Sequence, residues 1–426
     1  MLKLGGHHYG RKSYNQKALK KGILQIFSAT FFNKIIQFGI MMFLTRVLEK
    51  SLYGKLSYAQ TILNIFLVLD GLGMASSSLQ YGSMQKMEDK KLSYFKYAVK
   101  IGSIFNALIA LAIIIYTRFF VLPVKGSTEI LFYFALIPIM TIFFNEIQML
   151  LRAEFKNTQY SILTVVNTAL YFIGNVTLGK YFSIKGIVAG RYIAYIVSIV
   201  VGIYMIRNQL KKFRIIKYPE IGEKKDFLKY SIVTCFTNAT SQLLIMLDSF
   251  FVGLLIPNSS VVASYTVSAV IPTNLTFIPI AIMTFVYPYF ARHWNDKKWI
   301  KNQYSIFIKY LFILNMAITL VLVIFAPYIV ETVFTKQYSD AVTNFRILSI
   351  GYFIAGTFKI PAGNTLASMK FVKANFYNSA ITGVIYIILN VVLISKFGSI
   401  GASISTVLIY GLSSIMFSVY IRKVLK

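Results

Sequence analysis

Several residues with a reactive or charged side chain stand inside this chain's apolar runs. Thr30, Asn33, Lys34, Gln37 and Met41 interrupt one run. Gln60, Asn64 and Asp70-Gly71-Leu72-Gly73 interrupt the next, and Asn145, Glu146 and Gln148 a later one. In the second half come Thr234, Asn238, Ser241, Gln242 and Asp248, then Lys359 with Pro361 and Asn364 beyond it. Charge at membrane depth is costly and is kept for a hydrated cavity or a partner. Thr30, Lys34 and Gln37 fall at i, i+4 and i+7, on one helix face. Two readings stand side by side. Such groups line a water-filled cleft, or they bond helix to helix as in any bundle. Lys34 and Lys359 likewise either face the cleft or pair with Asp70, Glu146 or Asp248 as fixed bridges. Arg46 and Glu331 lie near helix ends, within reach of the interface. Lys100, Lys309 and Arg346 have stems long enough to snorkel. The histidines, His7, His8 and His293, share no apolar face with acidic partners, and Cys235 is the single cysteine, so no metal and no cofactor is expected.

The elements that position these residues are membrane helices. The 426 residues are 57% hydrophobic and 14% charged, with 44 Lys plus Arg against 14 Asp plus Glu. A soluble chain carries about 25% charged residues. The basic excess sits in short loops beside apolar runs, which suits anionic lipid headgroups and topology rather than nucleic acid. The polar first 21 residues lack the apolar core of a signal peptide. Twelve segments reach about 20 apolar residues: roughly 22–45, 56–80, 98–121, 130–151, 159–179, 184–206, 230–256, 261–289, 306–330, 343–366, 374–395 and 399–421. With both termini inside, the cytoplasmic segments hold about 29 Lys and Arg and the outer loops about 7. The outer set is Arg46, Lys50, Lys125, Lys180, Lys185, Lys336 and Lys396.

The stretch 207–229, RNQLKKFRIIKYPEIGEKKDFLK, divides the chain as a basic cytoplasmic linker, with bundles at 1–206 and 230–426. The halves repeat. At a shift of 215, Tyr171 meets Tyr386, Asn175-Val176 meets Asn390-Val391, Leu178 meets Leu393, Gly186 meets Gly401 and Arg207 meets Arg422. Six spans plus six in one orientation are parallel repeats, which place a transport site between the halves. The polar stripes at 30–41 and 234–248 lie in the first helix of each half and point at one cleft. Pro272, Pro279 and Pro288 each remove an amide donor and can kink the eighth span, as a hinge or as static packing. The 29 tyrosines suit interfacial belts. The expected fold is therefore all-α and polytopic, twelve transmembrane helices in two parallel six-helix bundles, with cytoplasmic ends.

A family resemblance follows from the motifs in order. Arg46-Val-Leu-Glu-Lys-Ser-Leu-Tyr53-Gly54, then Asp70-Gly-Leu-Gly, resembles the opening of the Wzx-type polysaccharide flippases, members of the MATE-like MOP superfamily that also holds the lipid II flippases. Asp248-Ser-Phe-Phe-Val-Gly253 with Ala263-Ser-Tyr265 is similar to the start of that family's second half. Asn390-Val-Val-Leu-Ile-Ser-Lys-Phe-Gly398-Ser-Ile-Gly401-Ala402 is similar to its last two spans. The resemblance implies an undecaprenyl-diphosphate-linked oligosaccharide as substrate, in a bacterial cytoplasmic membrane. It implies export of capsule, exopolysaccharide or O-antigen units, with a polymerase as partner; a monomer is expected, because each half supplies the other's partner. A diphosphate needs cations in its path, and Lys34, Arg46 and Lys359 match that need. Asn33, Gln37, Asn238 and Gln242 would meet the sugar. Asp70, Glu146 and Asp248 would carry H+ or Na+ coupling or pair helices. The alternatives are a drug antiporter of the same fold, which wants acidic and aromatic cleft residues, and a membrane polymerase, which wants a large outer loop.

Overall fold

The computed structural model describes residues 16–425, without the side chains of 16–27, 240, 241, 244, 245 and 372. His7, His8, the basic residues up to Lys21 and the Ser241 hydroxyl lie outside that description. Every described regular element is a helix, a structure that satisfies its backbone donors and acceptors without water. In the first half these are α1 Gln16–Val47, α2 Lys50–Leu67, α3 Met74–Met84, α4 Glu88–Phe119, α5 Ser127–Tyr133, α6 Ile137–Ala153, α7 Asn157–Gly174 and α8 Lys180–Met205. After α9 Arg207–Lys212 come α10 Ile221–Leu255, α11 Ser259–Leu275, α12 Phe277–Arg292, α13 Lys297–Ile324, α14 Ala326–Phe334, α15 Val342–Ile354, α16 Ile360–Ser368, α17 Val372–Phe397 and α18 Ser399–Val424.

Among the described residues, 7 helices are long and apolar enough to cross a membrane, or up to 8 when the bent pair α5 and α6 counts as one. The longest of these, Asn157–Met205, runs 49 residues. That is more than twice a bilayer's need of about 20. It folds back on itself at Ser183, whose backbone takes φ 52, ψ −133. Gly174 and Gly190 then meet face to face, since a Cβ on Gly174 would stand 2.8 Å from the Gly190 Cα.

The same device recurs 215 residues later. Gly398 has φ 61, ψ −144 and turns α17 into α18. A Cβ on Gly186 would meet the Leu178 carbonyl oxygen at 1.9 Å, and one on Gly401 the Leu393 carbonyl oxygen at 2.0 Å. Asn175 and Asn390 each donate through Nδ2 to the carbonyl four residues back, Tyr171 at 2.6 Å and Tyr386 at 3.1 Å. The sequence repeat is thus a repeat of backbone geometry.

Packing groups the chain into two units whose borders cut through α1, α4 and α10. The first holds Met1–Met41, Asp70–Ala110 and Leu136–Cys235. Here the basic linker is tied down. Lys90 pairs with Glu223 at 2.5 Å and Lys212 with Glu88 at 2.8 Å, and Lys96 donates to the carbonyls of Phe213 and Ile216. The Lys90 hydrogen bond holds the Glu223 carboxyl below its ordinary value. Phe227 stacks on Tyr94 with centroids 5.4 Å apart.

The second unit holds Met42–Leu69, Leu111–Ala135 and Phe236–Lys426. At one end of it gather four loops that the lysine and arginine bias expects on the outer side. Arg46 donates to the Thr332 and Val333 carbonyls at 2.5 and 3.5 Å. Lys50 pairs with Asp340 at 2.7 Å, Ser51 meets Ser259 at 2.8 Å, and Ser127 donates to the Lys55 carbonyl. Gly54 allows this closeness, because a Cβ there would lie 1.8 Å from the Ser259 oxygen.

Candidate functional site

Lys359 ends a π-helical turn, Ala355–Lys359, between α15 and α16. A π turn inserts one residue into the helix ladder and is common at functional positions. Lys359 lines a cavity of about 290 Å³ with Asp248, Tyr265, Thr382, Tyr386 and Tyr410. Its Nζ stands 4.5 Å from the Tyr410 ring centroid. Lys359, Ser379 and Thr382 also line an adjoining cavity of about 240 Å³, with Asn364, Asn375 and Asn378. The two cavities therefore share a wall that carries the ammonium group.

On the far side of the first cavity Asp248 accepts from the Tyr386 hydroxyl and, at 2.7 Å, from Thr406. No ion pair joins Lys359 to Asp248 among the described residues. Hydroxyls thus hold Asp248 and a ring faces Lys359, and both residues line the one cavity. The amide side is built differently. Asn378 and Ser413 bond each other's polar groups, while the Asn375 Oδ1 is buried with no donor. A buried acceptor without a donor costs free energy that a ligand hydroxyl can recover. One lysine, one carboxyl, several amides and hydroxyls, and a spare acceptor suit a hydroxyl-rich polar group.

The other acidic candidates sit in the first unit. Asp70 opens the Asp-Gly-Leu-Gly break between α2 and α3, where Gly71 has φ 56 and Leu72 φ 50. Its carboxylate accepts from Asn106 at 2.6 Å, Thr141 at 2.8 Å and Asn145 at 2.8 Å. Asn106 in turn receives the Gly71 amide at 2.6 Å. The cluster holds the helix break in place. Glu146 is fully buried, accepts from Ser78 at 2.6 Å, and leaves Oε1 with no donor. The lysine bridges considered from sequence are absent among the described residues, since the partners of all three acids are uncharged hydroxyls and amides.

Of the remaining candidates, Gln37 lines a cavity of about 260 Å³ with Asn167, Thr168, Tyr171, Arg191 and Tyr195. Lys34, Asn238 and Gln242 are exposed on α1 and α10, and Asn33 is buried with its Oδ1 unsatisfied. Arg46 is spent on the last carbonyls of α14, away from the Lys359 cavity. Of the prolines, Pro272 and Pro288 lie inside α11 and α12. The break at Thr276 precedes Pro279, which cannot donate to the Leu275 carbonyl.

Three kinds of residue escaped the sequence reading. Arg191 stands in mid-span, where its charge was signal enough. Tyr265, Tyr386 and Tyr410, expected in interfacial belts, wall the Lys359 cavity. Asn106 carried no signal, because a single asparagine in an apolar run is common. No group of three or more His, Cys, Asp or Glu among the described residues could hold a metal ion.

Two family models match the chain. Polysaccharide biosynthesis protein matches residues 19–294, and Lipid II flippase MurJ matches residues 172–426. No curated protein sequence matches it. Solved structures share the fold. The lipid II flippase MurJ in an inward closed conformation superposes with a TM-score of 0.74 at 15% identity, over 94% of this chain and 87% of that one. An inward-facing multidrug resistance MATE family transporter gives 0.72 at 12% identity, over 95% and 98%. A MOP superfamily transporter from Pyrococcus furiosus gives 0.64 at 14% identity, over 96% and 95%. With each family model spanning more than half of its residues, the chain belongs to the polysaccharide biosynthesis protein family and to that of the lipid II flippase MurJ, and it shares its fold with solved transporters of the MOP superfamily.

Proposed function

We propose that this protein moves an undecaprenyl-diphosphate-linked oligosaccharide unit from the cytoplasmic to the outer leaflet. It does so by alternating access between two parallel six-helix bundles, in a bacterial cytoplasmic membrane. The unit would feed a surface polysaccharide such as capsule, exopolysaccharide or O-antigen, with a polymerase downstream. The protein would act as a monomer and without catalysis of its own. The observation that carries this reading is the Lys359 cavity, where a cation, amides and hydroxyls meet at one place in an apolar bundle. Lys359 takes the negative charge of the head group, and Asn364, Asn375, Ser379 and Thr382 take sugar hydroxyls. Asp248 is the residue best placed for H+ or Na+ coupling, since it shares the cavity with Lys359.

Deletion of the gene should trap carrier-linked sugar on the cytoplasmic face. Complementation with Lys359→Ala should cut surface polymer at least tenfold, and Lys359→Arg should restore most of it, at equal protein levels in the membrane. Full polymer with Lys359→Ala would remove the site. One observation favours a second reading. Asp248 with three tyrosines is the acidic, aromatic wall that an organic-cation antiporter wants. Unchanged surface glycan together with lost dye resistance in the deletion strain would decide for that antiporter.

A further inference from the structure

The π-helical turn that carries Lys359 also borders a separate crevice. α13 and α18 each pack on this turn, and residues of all three line a cavity of about 620 Å³. Phe358, the residue before Lys359, meets Ile308 from α13 and Ile421 and Leu425 from the end of α18 there. Its ring stands edge-on to Phe312 and Phe353. The polar lining is Lys301, Tyr304 and Ser305 from α13 with Ser418 and Arg422 from α18. On α13, residues 301, 305 and 308 fall at i, i+4 and i+7, one helix face. That face runs from Lys301 to Ile308, about 10 Å further in. No lining residue is acidic. Neither Lys301 nor Arg422 has an ion pair among the described residues, whose pairs lie elsewhere. Ser305 spends its hydroxyl on the Lys301 carbonyl at 2.8 Å. Asp296, the nearest acid along the chain, caps α13 through the Trp299 amide at 3.0 Å.

The helix ends set the depth of this pocket. α13 and α18 are each long and apolar enough to span a membrane, with 28 and 26 residues. They are therefore about 42 and 39 Å long, close to a bilayer with its headgroup layers. Lys301 lies about 6 Å from the start of α13 and Arg422 about 3 Å from the end of α18. Both charges thus stand in the headgroup layer, at the end that lysine and arginine bias expects in the cytoplasm. Lys297, Lys298 and Lys423 add charge at the same helix ends. A basic pocket between span ends suits an anionic lipid head group. We propose that the α13/α18 crevice seats an anionic phospholipid of that leaflet. Its phosphate lies between Lys301 and Arg422, whose planar fork suits two phosphate oxygens, and one acyl chain descends along Ile308 and Phe358. This lipid is a resident ligand and not cargo, so the proposal does not rest on the flippase reading. Because Phe358 and Lys359 share one π-helical turn, the seated chain braces the wall that carries Lys359.

The test uses the full chain in phosphatidylcholine nanodiscs, with phosphatidylglycerol carrying a diazirine in one acyl chain as the probe. It should label peptides of α13 and α18 in the wild-type protein at least fivefold more than the matching diazirine phosphatidylcholine, a comparison that needs no variant to fold. Lys301→Gln with Arg422→Gln should remove that excess and leave labelling of other helices unchanged. Ile308→Trp should lower it by filling the crevice. Equal labelling by the two probes, labelling confined to other helices, or wild-type labelling of the folded double variant would each overturn the proposal. So would displacement by inorganic phosphate, which marks a plain anion site, or stronger competition by undecaprenyl phosphate than by unlabelled phosphatidylglycerol, which marks a carrier site. Failure of the flippase reading shows elsewhere, as no trapped carrier-linked sugar in deletion cells, and leaves this labelling as it is.

Discussion

At the residue scale, the acids of this chain divide by their surroundings. Asp70 is enclosed by three donors, two of which also reach the Pro138 carbonyl, so it works as a clamp on the Asp-Gly-Leu-Gly break. Asn106→Ala would strip that clamp and leave the Gly71 amide buried without a partner. The expected loss is about 1–3 kcal/mol, read as a drop in melting temperature with unchanged helix content. An unchanged melting temperature would mean that the break holds itself. Ser183 gives the opposite case. Its φ of 52 with ψ −133 is a region almost reserved for glycine, and the matching position in the repeat is Gly398. Ser183→Gly should therefore stabilise the protein, by about 1 kcal/mol. Gly398→Ser should do the reverse in the same thermal assay.

Between elements, short residues decide how close helices come. Gly54 against Ser259 and Gly253 against the Tyr58 ring bring α2 onto α10 and α11; a Cβ on Gly253 would stand 2.1 Å from that ring. The contact is finished by Lys50 with Asp340, which also accepts from Ser264. If transport requires α2 to part from α11, a bond across that contact must stop it. Ser51→Cys with Ser259→Cys, in a Cys235→Ala background, should form a disulfide, because the two hydroxyls already lie 2.8 Å apart. Oxidised cells should lose surface polymer and regain it on reduction. Transport that persists with the bond formed would show that this contact need not open.

For the whole molecule, the topology prediction is that both ends lie in the cytoplasm. The loops carrying Arg46, Lys50, Lys125 and Lys336 gather at one end of the second unit. Those carrying Lys90, Lys156 and Lys212 gather at one end of the first. Alternating spans produce this sorting, and lysine and arginine bias fixes its direction. A reporter that is active only outside should work when inserted after Lys336 and fail at the C-terminus. Activity at the C-terminus would invert the topology, and with it the direction of transport.

The sequence by itself determined the helical class, the interruption of an apolar run at Asp-Gly-Leu-Gly and the 215-residue repeat. These follow from hydropathy, glycine and charge, which act over a few residues. It also picked Lys359 and Asp248, because charge in an apolar run stands out. That Lys359 and Asp248 share one cavity while Arg46 caps a helix end was decided only by tertiary structure. So was the place of Tyr265, Tyr386 and Tyr410 inside the fold rather than at the interface. Distance across a bundle depends on how glycines let helices approach and on where a π turn rotates a side chain. Neither quantity is carried by any local pattern of residues.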